Sequence, residues 1–359
     1  MASRHQRKVT FAIPGDLATP TGGYGYAREV IAALRARGWE VDLLDLGDAF
    51  PRVDADQRAH ALKCLLNTPA DVPVVVDGLA LGVLPQEAQA ASRSHCLIAL
   101  VHHPLALETG LSVEAANALR VSETQALAAT LHVITTDQST AAVLAADYAV
   151  PPARISVALP GTRRMSRPQV RREGPVRVLA VGAVVPRKGY DLLVRALAEL
   201  DDLDWRLTIV GDRTRSSGAV AELDRLINKL GLAQRITCTG TISSAQLDAL
   251  HRDADLFVQS SWFEGYGMAL ADAIAYGLPV IATRTGAAPW LVAPDAGLLI
   301  APGGSVALTH ALRRLIGDAA LRERYAMMAR AAAQNLPTWD DTAQVFEQVL
   351  SNLQREAPC

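Results

Sequence analysis

The segment that most constrains the fold of this chain covers residues 260–289 and reads SSWFEGYGMALADAIAYGLPVIATRTGAAP. A short apolar run, Asp255 to Gln259, leads into it. Gly265 and Gly267 then allow a tight turn in which the backbone can approach a ligand. A helix follows, and Val280 to Thr283 has the composition of the next buried parallel strand. The segment therefore predicts a strand, a glycine loop, a helix and a second strand of a parallel α/β fold.

The same segment carries groups that suit a nucleotide-sugar. After Gly267, the first helical turn at Met268 and Ala269 leaves backbone N–H groups unpaired at the positive end of the helix dipole, where a diphosphate would bind. Glu264 precedes this turn and Asp272 follows it by one turn, so both carboxylates are predicted to face one cleft. A carboxylate placed there can accept hydrogen bonds from hydroxyl groups, such as those of a ribose.

Apolar runs of strand length alternate with helical stretches along most of the chain, which predicts parallel sheets covered by helices. The predicted strands of the first half are Val9 to Ile13, Val41 to Leu44, Val74 to Val76, Leu97 to Val101, His132 to Thr135 and Ile155 to Ala158. Those of the second half are Val176 to Val181, Trp205 to Val210, Arg235 to Thr239, Asp255 to Gln259 and Val280 to Thr283. Two Rossmann-like units are therefore expected.

The domain boundaries follow from a change in composition. Residues 160–175, PGTRRMSRPQVRREGP, are polar, basic and punctuated by proline, as is typical of a linker. The predicted domains are residues 1–160 and 176–337, with a linker at 161–175. The last helix, within 338–359, is compatible with packing back on the first domain.

Composition excludes several classes of protein. The chain has 359 residues, of which 50% are hydrophobic, and this length allows two separate cores. A formal net charge of -2 gives no reason to expect a nucleic-acid partner. No apolar run approaches the ~18 residues of a membrane-spanning helix, and the first residues lack the apolar region of a signal peptide. We therefore expect a cytoplasmic protein without an integral membrane segment, a prediction that is compatible with peripheral membrane contact.

The cysteines and histidines do not predict a metal site. The four cysteines show no C-x-x-C spacing and no pairing pattern, so neither a zinc site nor a disulfide framework is expected. Cys96 and Cys238 lie in or beside apolar runs and are predicted to be small buried side chains. The histidines also lack the H-x-x-x-H spacing of a metal-binding helix.

Two further loops follow predicted strands. Gly22 and Gly23, after the first strand, can bring backbone amides to a phosphate or sugar, and a tight turn made for packing is an equal alternative. Arg187 and Lys188, after the strand Val176 to Val181, can neutralise a diphosphate, Arg187 in bidentate fashion. A solvent-facing pair of cations is the alternative for these two residues.

His102 and His103 close the strand Leu97 to Val101, at the carboxyl edge where open parallel sheets bind ligands. Either ring could donate a hydrogen bond to a sugar hydroxyl. A histidine pair without chemical function is the alternative, and the sequence does not determine which ring points inward.

Taken together, these residues resemble glycosyltransferase family 4, the retaining, metal-independent GT-B enzymes among glycosyl transferases group 1, along nearly the whole chain. Members of that family show a Gly-Gly loop near the start, a His after the fourth strand, a G-R-x-x-x-x-K-G-type phosphate loop and a Glu-x7-Glu motif. The corresponding positions here are Gly22-Gly23, His102-His103, Lys188-Gly189, and Glu264 with Asp272.

The resemblance implies a GT-B fold, in which two Rossmann-like domains have parallel sheets that face each other across a cleft. The N-terminal domain would bind the acceptor and the C-terminal domain the nucleotide sugar. The implied reaction is the transfer of a hexose from a UDP- or GDP-sugar to a hydroxyl of a sugar-containing or small-molecule acceptor, with retention of configuration. No metal or other cofactor is implied, and the leaving phosphate would take the acceptor proton.

The resemblance also implies roles for individual residues. Lys188, assisted by Arg187, would hold the diphosphate together with amides near Gly267, Met268 and Ala269. Glu264 would lie by the donor sugar, Asp272 would bind the ribose, and the base would lie near Gly240 and Ile242. His102 or His103, with the Gly22-Gly23 loop, would face the transferred sugar or the acceptor.

Two departures from the family pattern keep other functions open. Ala183 stands where many members have the phosphate-binding Arg, and Asp272 is one methylene shorter than the usual Glu. A non-catalytic nucleotide-sugar-binding module derived from such an enzyme is therefore the main alternative. A nicotinamide-dependent oxidoreductase is a third, and the absence of G-x-G-x-x-G argues against it.

Overall fold

The chain folds into two units, each built on one parallel sheet. A computed structural model describes residues 7–19, 21–108, 110–163 and 174–356. Contacts divide the chain into a first unit, residues 1–161 with 337–359, and a second unit, residues 162–336. Most of the predicted linker, residues 164–173, lies outside the described residues, as does Pro20 before the predicted glycine loop.

The first unit has a six-stranded parallel sheet in the order β2-β1-β3-β4-β5-β6. Its strands are β1 Lys8–Ile13, β2 Glu40–Asp45, β3 Val74–Asp77, β4 Leu97–Val101, β5 His132–Thr135 and β6 Ile155–Val157. Its helices are α1 Gly22–Ala36, α2 Ala55–Leu66, α3 Gly78–Leu81, α4 Pro85–Ala91, α5 Val113–Ala128 and α6 Gln138–Asp147, with α14 Trp339–Glu356 from the end of the chain.

The second unit has another six-stranded parallel sheet, in the order β12-β11-β10-β7-β8-β9. Its strands are β7 Val176–Val181, β8 Trp205–Val210, β9 Ile236–Gly240, β10 Leu256–Gln259, β11 Val280–Thr283 and β12 Gly297–Ile300. Its helices are α7 Tyr190–Ala198, α8 Ser217–Lys229, α9 Ser244–Asp253, α10 Met268–Ala275, α11 Ala288–Leu291, α12 Ser305–Gly317 and α13 Ala319–Ala333. The two sheets confirm the predicted fold of two Rossmann-like units.

The strand orders determine where each sheet can bind a ligand. In the second unit the chain order reverses between β7 and β10, and in the first unit it reverses between β1 and β3. At such a switch point the following loops diverge to opposite faces of the sheet and leave a crevice at the carboxyl ends of the strands. A ligand is therefore expected to bind at the loops after β7 and β10, or at the residues that follow β1, β3 and β4.

Apolar burial on both faces holds each sheet. All residues of β3 and β4 are buried, as expected for parallel strands covered by helices on both sides. In the second unit, Trp205 is fully buried and its indole N–H donates to the Leu200 carbonyl at 2.9 Å. The Arg235 guanidinium lies 3.9 Å over the Trp205 ring. The indole therefore has a hydrogen-bond partner for its N–H and a cation–π contact on its ring face.

The last helix, α14, belongs to the first unit. Phe346 is fully buried and stacks on Phe11 of β1 with ring centroids 6.0 Å apart. Trp339 meets Tyr26 of α1 edge-on at 5.6 Å. The Glu347 carboxylate accepts from the Arg37 guanidinium at 2.6 Å, at the end of α1. The chain therefore returns to complete the core of the unit in which it began.

The structure corrects three expectations from the sequence. Gly22 and Gly23 lie in the first turn of α1 and not in a loop, because Thr21 caps that helix by accepting from the Tyr24 amide. The sequence did not predict the strand β12. For the cysteines, no disulfide was expected, but Cys96 is disulfide-bonded as well as buried. Cys238 was expected to be buried, but it is a free, half-buried thiol. Within the described ranges, no helix combines the length and apolar character that crossing a bilayer requires.

Candidate functional site

A buried carboxylate lies at the centre of the candidate site in the second unit. Glu264 is 7% exposed and accepts from the Ser261 hydroxyl at 2.7 Å. The Lys188 ammonium pairs with the same oxygen, and Arg187 Nη1 lies 3.5 Å from the other, Oε2. Burial raises the pKa of Glu264, but the charges of Lys188 and Arg187 outweigh it and hold the pKa below its usual value. Two cations therefore surround one ionised carboxylate.

Glycines bring the two loops that carry this cluster together. Lys188 passes over Gly182, at which a Cβ would lie 2.6 Å from Lys188 Cε. Gly189 has a φ of 60°, and a Cβ there would lie 2.3 Å from the Ser260 carbonyl oxygen. The Ser260 hydroxyl donates to the Gly189 carbonyl at 2.9 Å. Only glycine fits these positions, and the loops after β7 and β10 are therefore fixed against each other.

The helix α10 begins beside the cluster without a side-chain cap. Its N-cap, Gly267, has a φ of 82° and provides no side-chain hydrogen bond. Met268 and Ala269 form the first turn and are half-buried, and Asp272 follows one turn later, also half-buried. The amides of this turn can therefore receive an anion from outside the helix.

Two buried polar side chains near α10 were not among the predicted site residues. Both amide atoms of Gln259 and the hydroxyl of Tyr266 lack a hydrogen-bond partner within the part of the chain that the structure describes. A Cβ at Gly267 would lie 3.6 Å from the Gln259 amide atoms. Burial raises the pKa of Tyr266, and the charge of Asp272 adds to that effect. A glutamine that ends an apolar strand was the only sequence signal.

The predicted base-binding residues lie further along the same edge. Gly240 ends β9, which is separated from β7 by β8, and its carbonyl accepts from the Gly211 amide at 3.1 Å. Ile242 lies in the following loop and is half-buried. The structure thus brings Lys188, Arg187 and Glu264 into contact and places Gly240 two strands from β7.

The first unit has its own polar group at the carboxyl edge of its sheet. His102 follows β4, and Asp77 is the last residue of the neighbouring strand β3. His102 Nε2 lies 3.8 Å from Asp77 Oδ2 and has no hydrogen-bond partner among the described residues. The ring meets Tyr26 edge-on at 5.3 Å, and a Cβ at Gly23 would lie 3.4 Å from the ring. His102 and Gly23 are therefore brought together.

His103 and Gly22 have different surroundings. His103 Nε2 lies 3.4 Å from Glu108 Oε2 in the loop after β4. A Cβ at Gly22 would meet open space, so no close approach requires glycine there. The loop itself is held by Glu123, whose carboxylate accepts from the Leu105 amide at 2.7 Å.

Burial gives Asp77 and His102 unusual protonation behaviour. It raises the pKa of Asp77 to about 6, although a hydrogen bond from the Leu79 amide opposes the shift. Burial, with the charge of His103, lowers the pKa of His102 to about 4. At neutral pH the pair is therefore a carboxylate beside a neutral imidazole. Asp77 was not predicted, although its place directly after a buried strand was visible in the sequence.

No group of three His, Cys, Asp or Glu side chains within the described ranges is arranged to hold a metal ion. The chemistry that these two clusters offer is cationic and hydrogen-bonding in the second unit, and hydrogen-bonding in the first.

Comparison with known sequences shows what the second unit is similar to. Residues 162–334 match the profile of the family described as Glycosyl transferases group 1. The MMP alpha-(1->4)-mannosyltransferase of Mycolicibacterium hassiacum is 28% identical over 316 residues, which are 82% of this chain and 75% of that protein. A D-inositol 3-phosphate glycosyltransferase of Xylanimonas cellulosilytica is 31% identical over 182 residues, which are 50% of this chain and 43% of that protein. The chain thus spans less than half of the second relative.

Solved structures confirm the fold. Sucrose-phosphate synthase from Thermosynechococcus elongatus matches with a TM-score of 0.82 at 21% identity, over 97% of this chain and 100% of that one. Anabaena HepE in complex with UDP-glucose matches with a TM-score of 0.77 at 20% identity, over 96% and 100%. The GT-B fold implied by the motifs is confirmed, and so is the resemblance to group 1 glycosyltransferases.

Proposed function

We propose that this chain, whose residues 162–334 match the group 1 glycosyltransferases, transfers a hexose from a UDP- or GDP-sugar to an acceptor. The acceptor group is a hydroxyl of a sugar-containing or small molecule. Retention of configuration, independence of metal and a cytoplasmic location belong to the same proposal. The observation that carries it is the cluster of Lys188, Arg187 and Glu264 at the switch point of the second sheet, beside the uncapped start of α10.

The cluster suits a nucleoside diphosphate for electrostatic reasons. Two cations and one carboxylate leave a net positive charge, and the α10 amides add a partial positive charge beside it. In the proposed complex, Lys188 and Arg187 hold the diphosphate with the amides of Gly267, Met268 and Ala269. These contacts strengthen as the leaving diphosphate gains charge, which is the condition for lowering the barrier.

The remaining roles belong to the same proposal and rest on the family resemblance. Glu264 would accept from a hydroxyl of the donor sugar, and Asp272 from the ribose hydroxyls. In the transfer, the acceptor oxygen bonds to the anomeric carbon, the bond from that carbon to the phosphate oxygen breaks, and the acceptor proton passes to the departing phosphate. His102 and Gly23 would contact a sugar, and Gly240 with Ile242 would lie near the base.

The position of Arg187 supports activity in spite of Ala183. The guanidinium lies 3.5 Å from Glu264 Oε2, so a second cation is present at the cluster although position 183 provides none. Asp272, although shorter than Glu, carries the charge that a diol requires.

A thermal-shift screen tests the proposal. The purified chain is melted with UDP, GDP, ADP and their hexose conjugates, each with and without EDTA, because a ligand that binds only the folded state raises the melting temperature. We expect one nucleotide to raise it, equally with EDTA. Release of nucleoside diphosphate from the matching sugar conjugate then measures turnover.

Two outcomes contradict parts of the proposal. Binding of a nucleotide sugar without transfer to any acceptor or to water would identify the chain as a non-catalytic binding module. No shift with any nucleotide would refute the assignment of the Lys188 cluster to a diphosphate.

A further inference from the structure

Asp77 Oδ2 and His102 Nε2 face each other, but they are too far apart to form a hydrogen bond with each other. Asp77 Oδ1 accepts from the Leu79 amide at 2.8 Å and so caps α3. Oδ2 points to His102 Nε2, and the separation of 3.8 Å is too long for a hydrogen bond. Asp77 is 4% exposed, and Nε2 is a buried atom without a partner among the described residues. Buried polar atoms are normally satisfied, so this gap calls for a third group.

The third group is constrained by size and charge. Two contacts of about 2.8 Å can meet at one oxygen placed between atoms that are 3.8 Å apart. An anion is disfavoured because Asp77 is already negatively charged at neutral pH. A hydroxyl fits both partners, since it accepts from an imidazole N–H and donates to a carboxylate. Gly23 lies against the same ring: a Cβ there would lie 3.4 Å from His102 Nε2, so glycine leaves this side of the imidazole without a side chain in contact with it.

We propose that Asp77 and His102 together bind one hydroxyl of a sugar ring, which makes Asp77 a further substrate-binding residue. His102 Nε2–H donates to the hydroxyl oxygen, and the hydroxyl donates to Asp77 Oδ2. This inference rests on the proposed glycosyltransferase function and specifies its ligand in the first unit. The sugar is either the one being transferred or part of the acceptor.

Asp77→Asn is the appropriate variant because it keeps the structural role of the residue. Asn still caps α3 through its carbonyl oxygen, while the amide nitrogen replaces the accepting Oδ2 with a donor. Asp54→Asn is the control, since Asp54 caps α2 in the same unit by accepting from the Gln57 amide at 2.9 Å. Melting temperatures of both variants show that they are folded.

Calorimetric titrations with UDP, GDP, UDP-glucose and GDP-mannose, and initial rates of transfer to a panel of methyl hexosides, distinguish the two sources. If the hydroxyl belongs to the transferred sugar, Asp77→Asn weakens binding of the sugar conjugate by about 10–100-fold and leaves binding of the free nucleotide unchanged. If it belongs to the acceptor, both affinities are unchanged and kcat/KM for the acceptor falls by that factor.

A double variant tests whether the two residues act on the same hydroxyl. Asp77→Asn combined with His102→Gln should lose no more than about the larger single loss, because both side chains lose one shared contact. Normal conjugate affinity together with normal kcat/KM in Asp77→Asn would overturn the inference while leaving the proposed function intact. A wild-type chain that binds none of the four nucleotides would overturn the proposed function, and this inference with it.

Discussion

At the scale of single residues, the ion pair of Lys188 with the buried Glu264 carboxylate lies at the centre of the proposed diphosphate site. Lys188→Ala should weaken binding of the nucleoside diphosphate by about 1.5–3 kcal/mol, because it removes a charge-assisted contact. Isothermal titration measures this directly. Lys229→Ala is the control, since Lys229 is exposed at the end of α8. Equal affinity in the Lys188 variant and the control would place the diphosphate elsewhere.

Asp77 predicts a pH-dependent effect on stability. Its pKa is raised to about 6 in the folded chain from a reference of 3.8, so its favourable contribution is complete below pH 3.8 and is lost as pH rises through 6. Asp77→Asn should therefore raise the free energy of unfolding at pH 7, by about 3 kcal/mol at most, and change it little near pH 4.

Urea denaturation at both pH values, with variant and wild type compared at each, isolates Asp77 because His102 titrates in both proteins. A difference in unfolding free energy that is the same at pH 4 and pH 7 would contradict the assignment. A buried carboxylate such as Asp77, which lowers the stability of the folded chain at neutral pH, is expected where that carboxylate binds a ligand.

The sequence identified His102 and His103 as candidates without distinguishing between them. The choice depends on contacts that cross the sheet: Asp77 from β3 and Tyr26 from α1 surround His102, whereas His103 faces Glu108. Asp77 itself was missed for the same reason, since its partner lies on the neighbouring strand. Lys188 and Glu264 were predicted because each lies in a motif with a local signature.

At the scale of elements, the loops of the second unit depend on glycines that no other residue can replace. Gly286 has a φ of 50°, and a Cβ there would lie 1.8 Å from the Gly265 carbonyl oxygen. Gly286→Ala should therefore lower the free energy of unfolding by at least about 1–2 kcal/mol from backbone strain alone. It should also weaken nucleotide binding, because the Ala287 amide donates to Gly265 beside Glu264 at 3.0 Å.

Chemical denaturation and titration with nucleotide measure both effects. Gly218→Ala is the matched control, because a Cβ there meets open space in the first turn of α8. That substitution should leave stability unchanged or raise it by about 0.4–1 kcal/mol. A Gly286 variant as stable as the Gly218 variant would contradict the packing of these loops.

Element boundaries show where sequence patterns are insufficient. The strand β12 is four residues long, begins with glycine and is half-buried at three of its four positions. Its apolar run, Leu298 to Ile300, is short and has only one β-branched residue, so it indicates a buried strand less strongly than the all-valine run Val74 to Val76. Gly22 and Gly23 have low helix propensity, yet they begin α1 because Thr21 caps it and the helix packs on the sheet. In α1, capping and tertiary packing overrode local preference.

At the scale of the whole molecule, the chain has two hydrophobic cores that should respond separately to mutation. One core lies under the first sheet and the other under the second. Phe346 of α14 is fully buried against Phe11 in the first unit, and Phe257 of β10 is fully buried in the second. The strand and helix pattern of the sequence predicted the two sheets, but the contact between α14 and β1 joins residues far apart in the chain.

Replacing each phenylalanine by alanine therefore tests the division into units. Each substitution should lower the stability of its own unit by about 3–5 kcal/mol, because a large buried side chain leaves a cavity. Urea unfolding followed by hydrogen exchange should show Phe346→Ala exposing amides of β1 and α1 first, while those of β7 and β8 stay protected. Phe257→Ala should reverse that order.

Nucleotide affinity in native conditions should survive Phe346→Ala, since the Lys188 cluster lies wholly in the second unit. Loss of protection in both sheets at once would mean that the two units unfold as a single cooperative body.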